Sequence, residues 1–150
     1  KNLFLMPPQI GVNGIRTAGG LGCGGCHAPP EFSIDPNSGN NGIIGVLNGT
    51  GIDINNTRAP SLRDLAGIDG NPNGPMMHTG GIRTLQAAIG HYGTINLAPG
   101  NTRLDPRLKP NGVGLQLNLN ETEVNAVIAY LKTLTGVAVY SDARWSDPFQ

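Results

Sequence analysis

The two cysteines of the chain lie in one short run, Cys23-Gly24-Gly25-Cys26-His27. A Cys-x-x-Cys-His run is the attachment signature of c-type haem, in which each thiol bonds a haem vinyl group and the adjacent imidazole reaches the iron. A zinc site would need two more ligands at matching spacing, and the chain has no other cysteine. A thioredoxin-like pair needs no adjacent histidine and usually follows a strand of a βαβ unit. The run therefore predicts one covalently attached haem c, held by Cys23 and Cys26, with His27 as the proximal iron ligand.

Two segments carry apolar residues at helical spacing. The first follows the capping residue Thr84 and ends at Gly93, and its apolar face consists of Leu85, Ala88, Ile89 and Tyr92. The second begins at Asn120, with Glu123 three residues on, close to a capping-box arrangement. It ends at Gly136, and its apolar stripe consists of Val124, Val127, Ile128, Leu131 and Leu134. We predict a helix over each segment.

The rest of the chain is dominated by turn-forming residues, including 23 glycines and 12 prolines. Weaker patterns predict a short helix within 9–18 and another over 61–66, the latter capped near Ser61 and stopped by Gly67. The length predicts a single domain, 1–150, with a core over 11–136. The tail, 137–150, is expected to pack on that domain because it carries Val139, Tyr140, Trp145 and Phe149.

Charge and hydropathy exclude several classes of partner. Ten acidic residues balance ten basic ones, so no strong field selects nucleic acid or an anionic membrane. No apolar run approaches the length of a membrane span. No secretory signal opens the chain, and we therefore expect a mature form or an excised domain. Because haem c is attached outside the bacterial cytoplasm, we expect a periplasmic or secreted protein.

Further runs resemble the bacterial di-haem cytochrome c peroxidases and their MauG-like relatives. The haem run continues as Ala-Pro-Pro-Glu-Phe, and 57–64 is similar to the R-x-P-[ST]-L-R-[ND] segment of that family. The run 75–80 resembles its P-[YF]-[FM]-H-D-G loop, with Thr79 replacing the aspartate. The segment 119–136 is similar to its closing helix. Order and rough spacing agree over 11–136, which corresponds to the C-terminal domain of this two-domain family.

In that family the C-terminal domain holds the electron-transferring haem, whereas the peroxidatic haem and its acid–base residues lie in the other domain. Together with the predicted helices, the resemblance implies a mainly α fold, a small loop-rich cytochrome c-like domain around one haem. It implies a mono-haem c-type cytochrome, more an electron carrier than an enzyme, with an oxidoreductase as redox partner. The protein would act alone or as a module of a larger secreted protein, without the interdomain calcium of the relatives. The alternative is a haem peroxidase that acts on hydrogen peroxide through an open or labile distal site.

The second axial ligand of the iron has several candidates. The distal ligand of the family falls fourteen residues after the loop histidine, a count that leads from His78 to Tyr92. MauG-like proteins carry tyrosine at that place and the peroxidases carry methionine. Met76 and Met77 are rivals, because thioether ligation is common in c-type electron carriers and raises the reduction potential. His78, His91 and an open position are the remaining alternatives.

Haem propionates require cationic or amide donors. Arg58, Arg63 and His78 are the predicted cofactor-binding side chains besides the attachment run, and the resemblance implies that Arg58 lies beside the haem. The competing interpretation is that the arginines are solvated at the surface and that His78 is an ordinary loop histidine.

Overall fold

The computed structural model describes residues 1–33, 38–55 and 59–146. These residues contain four α-helices: α1 (Asn2–Leu5), α2 (Leu85–Gly93), α3 (Glu121–Lys132) and α4 (Val137–Ser141). Two short strands, β1 (Pro8–Ile10) and β2 (Arg16–Gly19), pair antiparallel with an irregularity in register between Gln9 and Ile10. Single 3-10 turns lie at Cys23–Gly25, Pro106–Leu108, Pro110–Gly112 and Ala143–Trp145.

The prediction of a mainly α fold is wrong. The four α-helices have only 4, 9, 12 and 5 residues, and a two-stranded sheet accompanies them. Most of the described chain is turn, loop and isolated β-bridge. The physical reason is the backbone conformation of the glycine- and asparagine-rich segments, along which residues with positive φ recur, because a right-handed helix cannot continue through such a residue.

The two strongly periodic helices are confirmed, with one corrected boundary. The Thr84 side chain caps α2 by accepting a hydrogen bond from the Ala87 N–H at 3.1 Å. Asn120 and Glu123 form the full capping box at the start of α3. The helix ends at Lys132, four residues before the predicted stop at Gly136.

The two weaker helix predictions are wrong. Residues 9–18 fall largely in β1, β2 and the turn between them. Residues 61–66 form a turn, in which Asp64 has a φ of +54° that a right-handed helix cannot contain. The N–H of Asp64 instead donates to the Leu134 carbonyl at 3.3 Å, so this turn is bonded to the segment just after α3 rather than stabilised by a helical ladder of its own.

The hydrophobic core lies between α1, α2, α3 and the loop that follows α2. Its buried members are Phe4, Leu21, Phe32, Ile89, Ile95, Leu104, Leu115, Leu117, Val127 and Leu131. Phe4, Phe32 and Tyr130 form an aromatic cluster with ring centroids 5.3 to 6.4 Å apart. An ion pair between Arg16 and Glu123 joins β2 to the start of α3. Because Phe32 belongs to this aromatic cluster, the segment just after the attachment run packs directly on the core.

The tail contacts the domain through a few polar bonds. The Gly136 N–H donates to Asp64 at 2.7 Å, and the Asn73 amide donates to the Tyr140 hydroxyl at 2.9 Å. Val139, Tyr140 and Trp145 each keep about half or more of their surface exposed. Phe149 lies outside the described residues. No helix within 1–33, 38–55 or 59–146 has the length and hydropathy needed to cross a membrane.

Candidate functional site

The attachment run forms one tight turn at the surface of the core. Cys23–Gly25 is a 3-10 turn, and the N–H groups of Cys26 and His27 both donate to the Cys23 carbonyl, at 3.2 and 2.9 Å. A side chain at Gly24 would lie 3.0 Å from the Leu5 side chain, so the turn packs directly against α1.

The imidazole of His27 is oriented by a backbone carbonyl. Its Nδ1 lies 2.9 Å from the Phe32 oxygen, and since a carbonyl only accepts, Nδ1 carries the proton. Among the described residues, the Nε2 atom of His27 has no hydrogen-bond partner. Burial lowers the pKa of His27, against a smaller opposing effect of the Phe32 hydrogen bond, and favours the neutral ring. Metal-binding histidines typically donate their other ring N–H to a carbonyl in this way.

The two cysteines are partly buried and form no disulfide. Burial, with a smaller contribution from Cys26, outweighs a backbone hydrogen bond and raises the pKa of the Cys23 thiol to about 12. A thiol protonated at neutral pH is a poor nucleophile, which argues against a thioredoxin-like redox pair. Within the described part of the chain, no three His, Cys, Asp or Glu side chains group around a metal position. The donor set therefore fits covalent attachment of a haem better than it fits zinc or disulfide exchange.

Two of the distal-ligand candidates meet at one amide. Nδ2 of Asn41 lies 3.2 Å from the Met77 sulfur and 3.4 Å from the Tyr92 hydroxyl oxygen. Burial raises the pKa of Tyr92, the Asn41 hydrogen bond lowers it, and the charges of Cys26 and Cys23 raise it. Tyr92 therefore lies close enough to both cysteines to interact with them electrostatically. Asn41, which sequence reasoning missed, brings a loop residue and a residue of α2 to the same point.

The neighbouring methionine occupies a different environment. Met76 is buried, and its N–H donates to the Ile82 carbonyl at 2.6 Å in an isolated antiparallel bridge. Met77 follows with a φ of +65°, so the chain turns sharply between the two thioethers. The Asn41 amide contacts Met77 and not Met76. Of the two sulfur candidates, Met77 is the one that shares a partner with Tyr92.

His78, in a loop, and His91, in α2, both contact main-chain oxygens of the 41–45 segment. Nε2 of His78 lies 2.7 Å from the Gly45 oxygen, and Nε2 of His91 lies 2.8 Å from the Asn41 oxygen. The His91 ring also packs edge-on against Tyr92, with centroids 5.0 Å apart. These contacts fix the loop beside the distal candidates.

Of the two arginines predicted to bind the propionates, the structure describes Arg63. Arg63 is exposed, and its Nε and Nη2 atoms donate to the Pro30 carbonyl at 3.0 and 2.7 Å. It therefore fastens the segment just after the attachment run. Arg58 lies outside the described residues.

A second cation, which sequence reasoning missed, contacts the attachment turn itself. Nη1 of Arg107 donates to the Gly25 carbonyl. Its Nε and Nη2 atoms form a bidentate pair with Asp105, each bond 2.8 Å long. Asp105 is buried and also accepts the Gly39 N–H at 2.9 Å. The local sequence indicates only that Asp105 caps the turn that begins at Pro106. It does not indicate the contact between Arg107 and Gly25, because these residues are 82 positions apart.

The Asp105 carboxylate should make stability depend on pH. Burial raises the pKa of Asp105, but hydrogen bonds from Arg107 and Gly39 outweigh burial and lower it. Because the folded pKa lies below the unfolded one, this stabilisation is present at neutral pH and is lost as pH falls through the folded pKa. We expect Asp105→Asn to lower the free energy of unfolding by about 2 kcal/mol at neutral pH. The deficit should shrink at a pH below the ordinary carboxyl range, as measured by urea denaturation.

Asp53→Asn is the matched control, because among the described residues Asp53 accepts a single hydrogen bond, from the Asn55 N–H at 2.8 Å. This variant should unfold close to the wild type at both pH values. An Asp105→Asn deficit that does not change with pH would contradict the assigned role of the charge.

Comparison with known proteins gives one informative likeness. No family model and no curated protein matches the chain. Among solved structures, the chain is similar to a MauG-like protein associated with microbial copper homeostasis, with 25% identity and a TM-score of 0.60. The match covers 87% of this chain and 47% of that protein, so the chain spans about half of its length. The likeness supports a relation to the MauG-like proteins.

Proposed function

We propose that this protein is a mono-haem c-type electron carrier that exchanges electrons with a periplasmic or extracellular bacterial oxidoreductase. The observation that carries the proposal is the His27–Phe32 hydrogen bond, which leaves Nε2 without a partner among the described residues, beside a turn with two cysteines that form no disulfide. The likeness to one half of a MauG-like protein gives independent support. The carrier would act alone or as a module of a larger secreted protein.

Each candidate residue would have a separate role in binding the cofactor. Cys23 and Cys26 would form the two thioethers, His27 would take the proximal axial position, and Tyr92 or Met77 the distal one. When bound, haem supplies a one-electron couple at its iron. The chain contributes rigidity, since Phe32 fixes the His27 ring and Asn41 contacts both distal candidates. A site that holds both axial donors in fixed positions needs little rearrangement when the electron is transferred.

The experiment is ferric absorption spectroscopy of the protein produced with haem attachment. We expect a low-spin spectrum that neither cyanide nor peroxide changes, because both axial positions are occupied. Either Tyr92→Phe or Met77→Leu should convert the iron to high spin, and that variant identifies the distal ligand. A high-spin wild-type spectrum with rapid peroxide turnover would contradict the carrier and favour the peroxidase alternative.

Matched controls exist for both substitutions. Tyr140→Phe removes a hydroxyl that contacts Asn73, and Met6→Leu changes an exposed thioether in the N-terminal segment. Both controls should keep the wild-type spectrum. Met76→Leu tests the remaining thioether candidate by the same measurement.

A further inference from the structure

The side chain of Asn41 is oriented without ambiguity. One end of its amide faces the Ile43 N–H, 3.1 Å away, and a donor there requires the carbonyl oxygen of the amide. The amino group must therefore face the other way, toward Met77 and Tyr92. The main-chain oxygen of Asn41 is also engaged, by His91. The side-chain oxygen of Asn41 thus stabilises the local turn, while its amino group and its main-chain oxygen contact residues at the distal side of the site.

The preceding residue makes this position rigid. Asn40 is fully buried, and its side chain pairs reciprocally with Asn101 through two bonds of 2.8 Å. The same side chain donates to the Ile54 carbonyl and accepts the Gly42 N–H. Its backbone N–H donates to the Arg103 carbonyl, and its backbone carbonyl accepts the Asp105 N–H, each at 2.9 Å. A buried polar network with all its members satisfied fixes a single conformation, and Asn41 is attached directly to it.

We propose that Asn41 is the positioning residue for the distal iron ligand: its amide donates to the Tyr92 oxygen and the Met77 sulfur and withdraws electron density from whichever atom binds the iron. This inference rests on the proposed haem site. A hydrogen bond donated to a ligating oxygen or sulfur makes that atom a weaker donor and favours ferrous over ferric iron. The direction is the same for both ligands, so Asn41 raises the reduction potential in either case.

The test is the reduction potential of the haem-loaded protein, measured for the wild type, Asn41→Ala and Asn41→Ser. The serine hydroxyl keeps an acceptor for the turn at Ile43 but is too short to reach Met77 or Tyr92. Both variants should raise the ferric-to-ferrous ratio at a fixed applied potential by about tenfold, which is 59 mV for a one-electron couple. Serine also keeps the test decisive if the alanine variant does not fold.

Asn13→Ala is the matched control, because the Asn13 side chain caps the same kind of turn by accepting the Ile15 N–H at 3.2 Å. It should leave the potential unchanged. If Asn41→Ser and Asn13→Ala both keep the wild-type potential and ferric spectrum, Asn41 is not a positioning residue, although the haem site stands. If the wild type itself carries no covalent haem or no reversible couple, the proposed function fails instead.

Discussion

Replacing both Cys23 and Cys26 with serine is expected to abolish covalent haem attachment. Serine has a similar shape and would preserve the turn, but it cannot form the thioether bonds that retain haem through denaturation. Neither cysteine forms a disulfide, and the turn that carries them packs against α1. Mass spectrometry of the denatured protein measures the result directly, since only the wild type should carry the mass of a haem.

Gly25→Ala serves as the control for this double substitution. A side chain at Gly25 would meet only Arg107, at ordinary contact distances of 3.6 Å or more, so both sulfurs and the turn are retained. This variant should keep its haem. Haem mass on the denatured double-serine protein would show that attachment does not use this run.

Asn40→Ala is expected to lower the free energy of unfolding by about 3 kcal/mol, because it leaves several buried polar groups without partners. The lost side-chain bonds are those to Ile54, Gly42 and Asn101, all in segments without regular secondary structure. Urea denaturation followed by circular dichroism measures the change.

Asn71→Ala provides the comparison, because the Asn71 amide is exposed and its side chain bonds only Asp69 among the described residues. Its cost should be below about 0.5 kcal/mol. Equal costs for the two substitutions would show that the buried network does not support the loop.

Local patterns predicted the parts of this molecule whose stabilising contacts are local. The attachment run is five consecutive residues, and the caps of α2 and α3 act over three residues. The incorrect prediction of a helix over 61–66 has the opposite cause, since Asp64, in its left-handed conformation, is hydrogen-bonded to the segment just after α3, about 70 residues away. Composition rich in glycine and asparagine marks such segments as irregular but does not predict which conformation they take.

The same distinction between local and distant contacts explains why the sequence did not predict Asn41 and Arg107 as site residues. Asn41 contacts Met77 and Tyr92 across 36 and 51 residues, and Arg107 contacts Gly25 across 82. No hydrophobic periodicity and no sequence motif marks these pairs, because their proximity results from the packing of loops. Tyr92 remains a predicted distal ligand, and its prediction rests on a count of fourteen residues from His78 through a loop and the helix that follows it.

Phe32 connects the proximal histidine to the interior of the molecule. Its carbonyl fixes the His27 ring, while its own ring lies in the aromatic cluster with Phe4 and Tyr130. Its φ of +54° is uncommon for a bulky residue, and the two contacts together maintain it. The rotational angle of the imidazole is therefore coupled to the volume of the core. Substitutions that enlarge or shrink those aromatic neighbours should therefore change the orientation of the His27 ring and, in the proposed haem site, the way that ring would bind the iron.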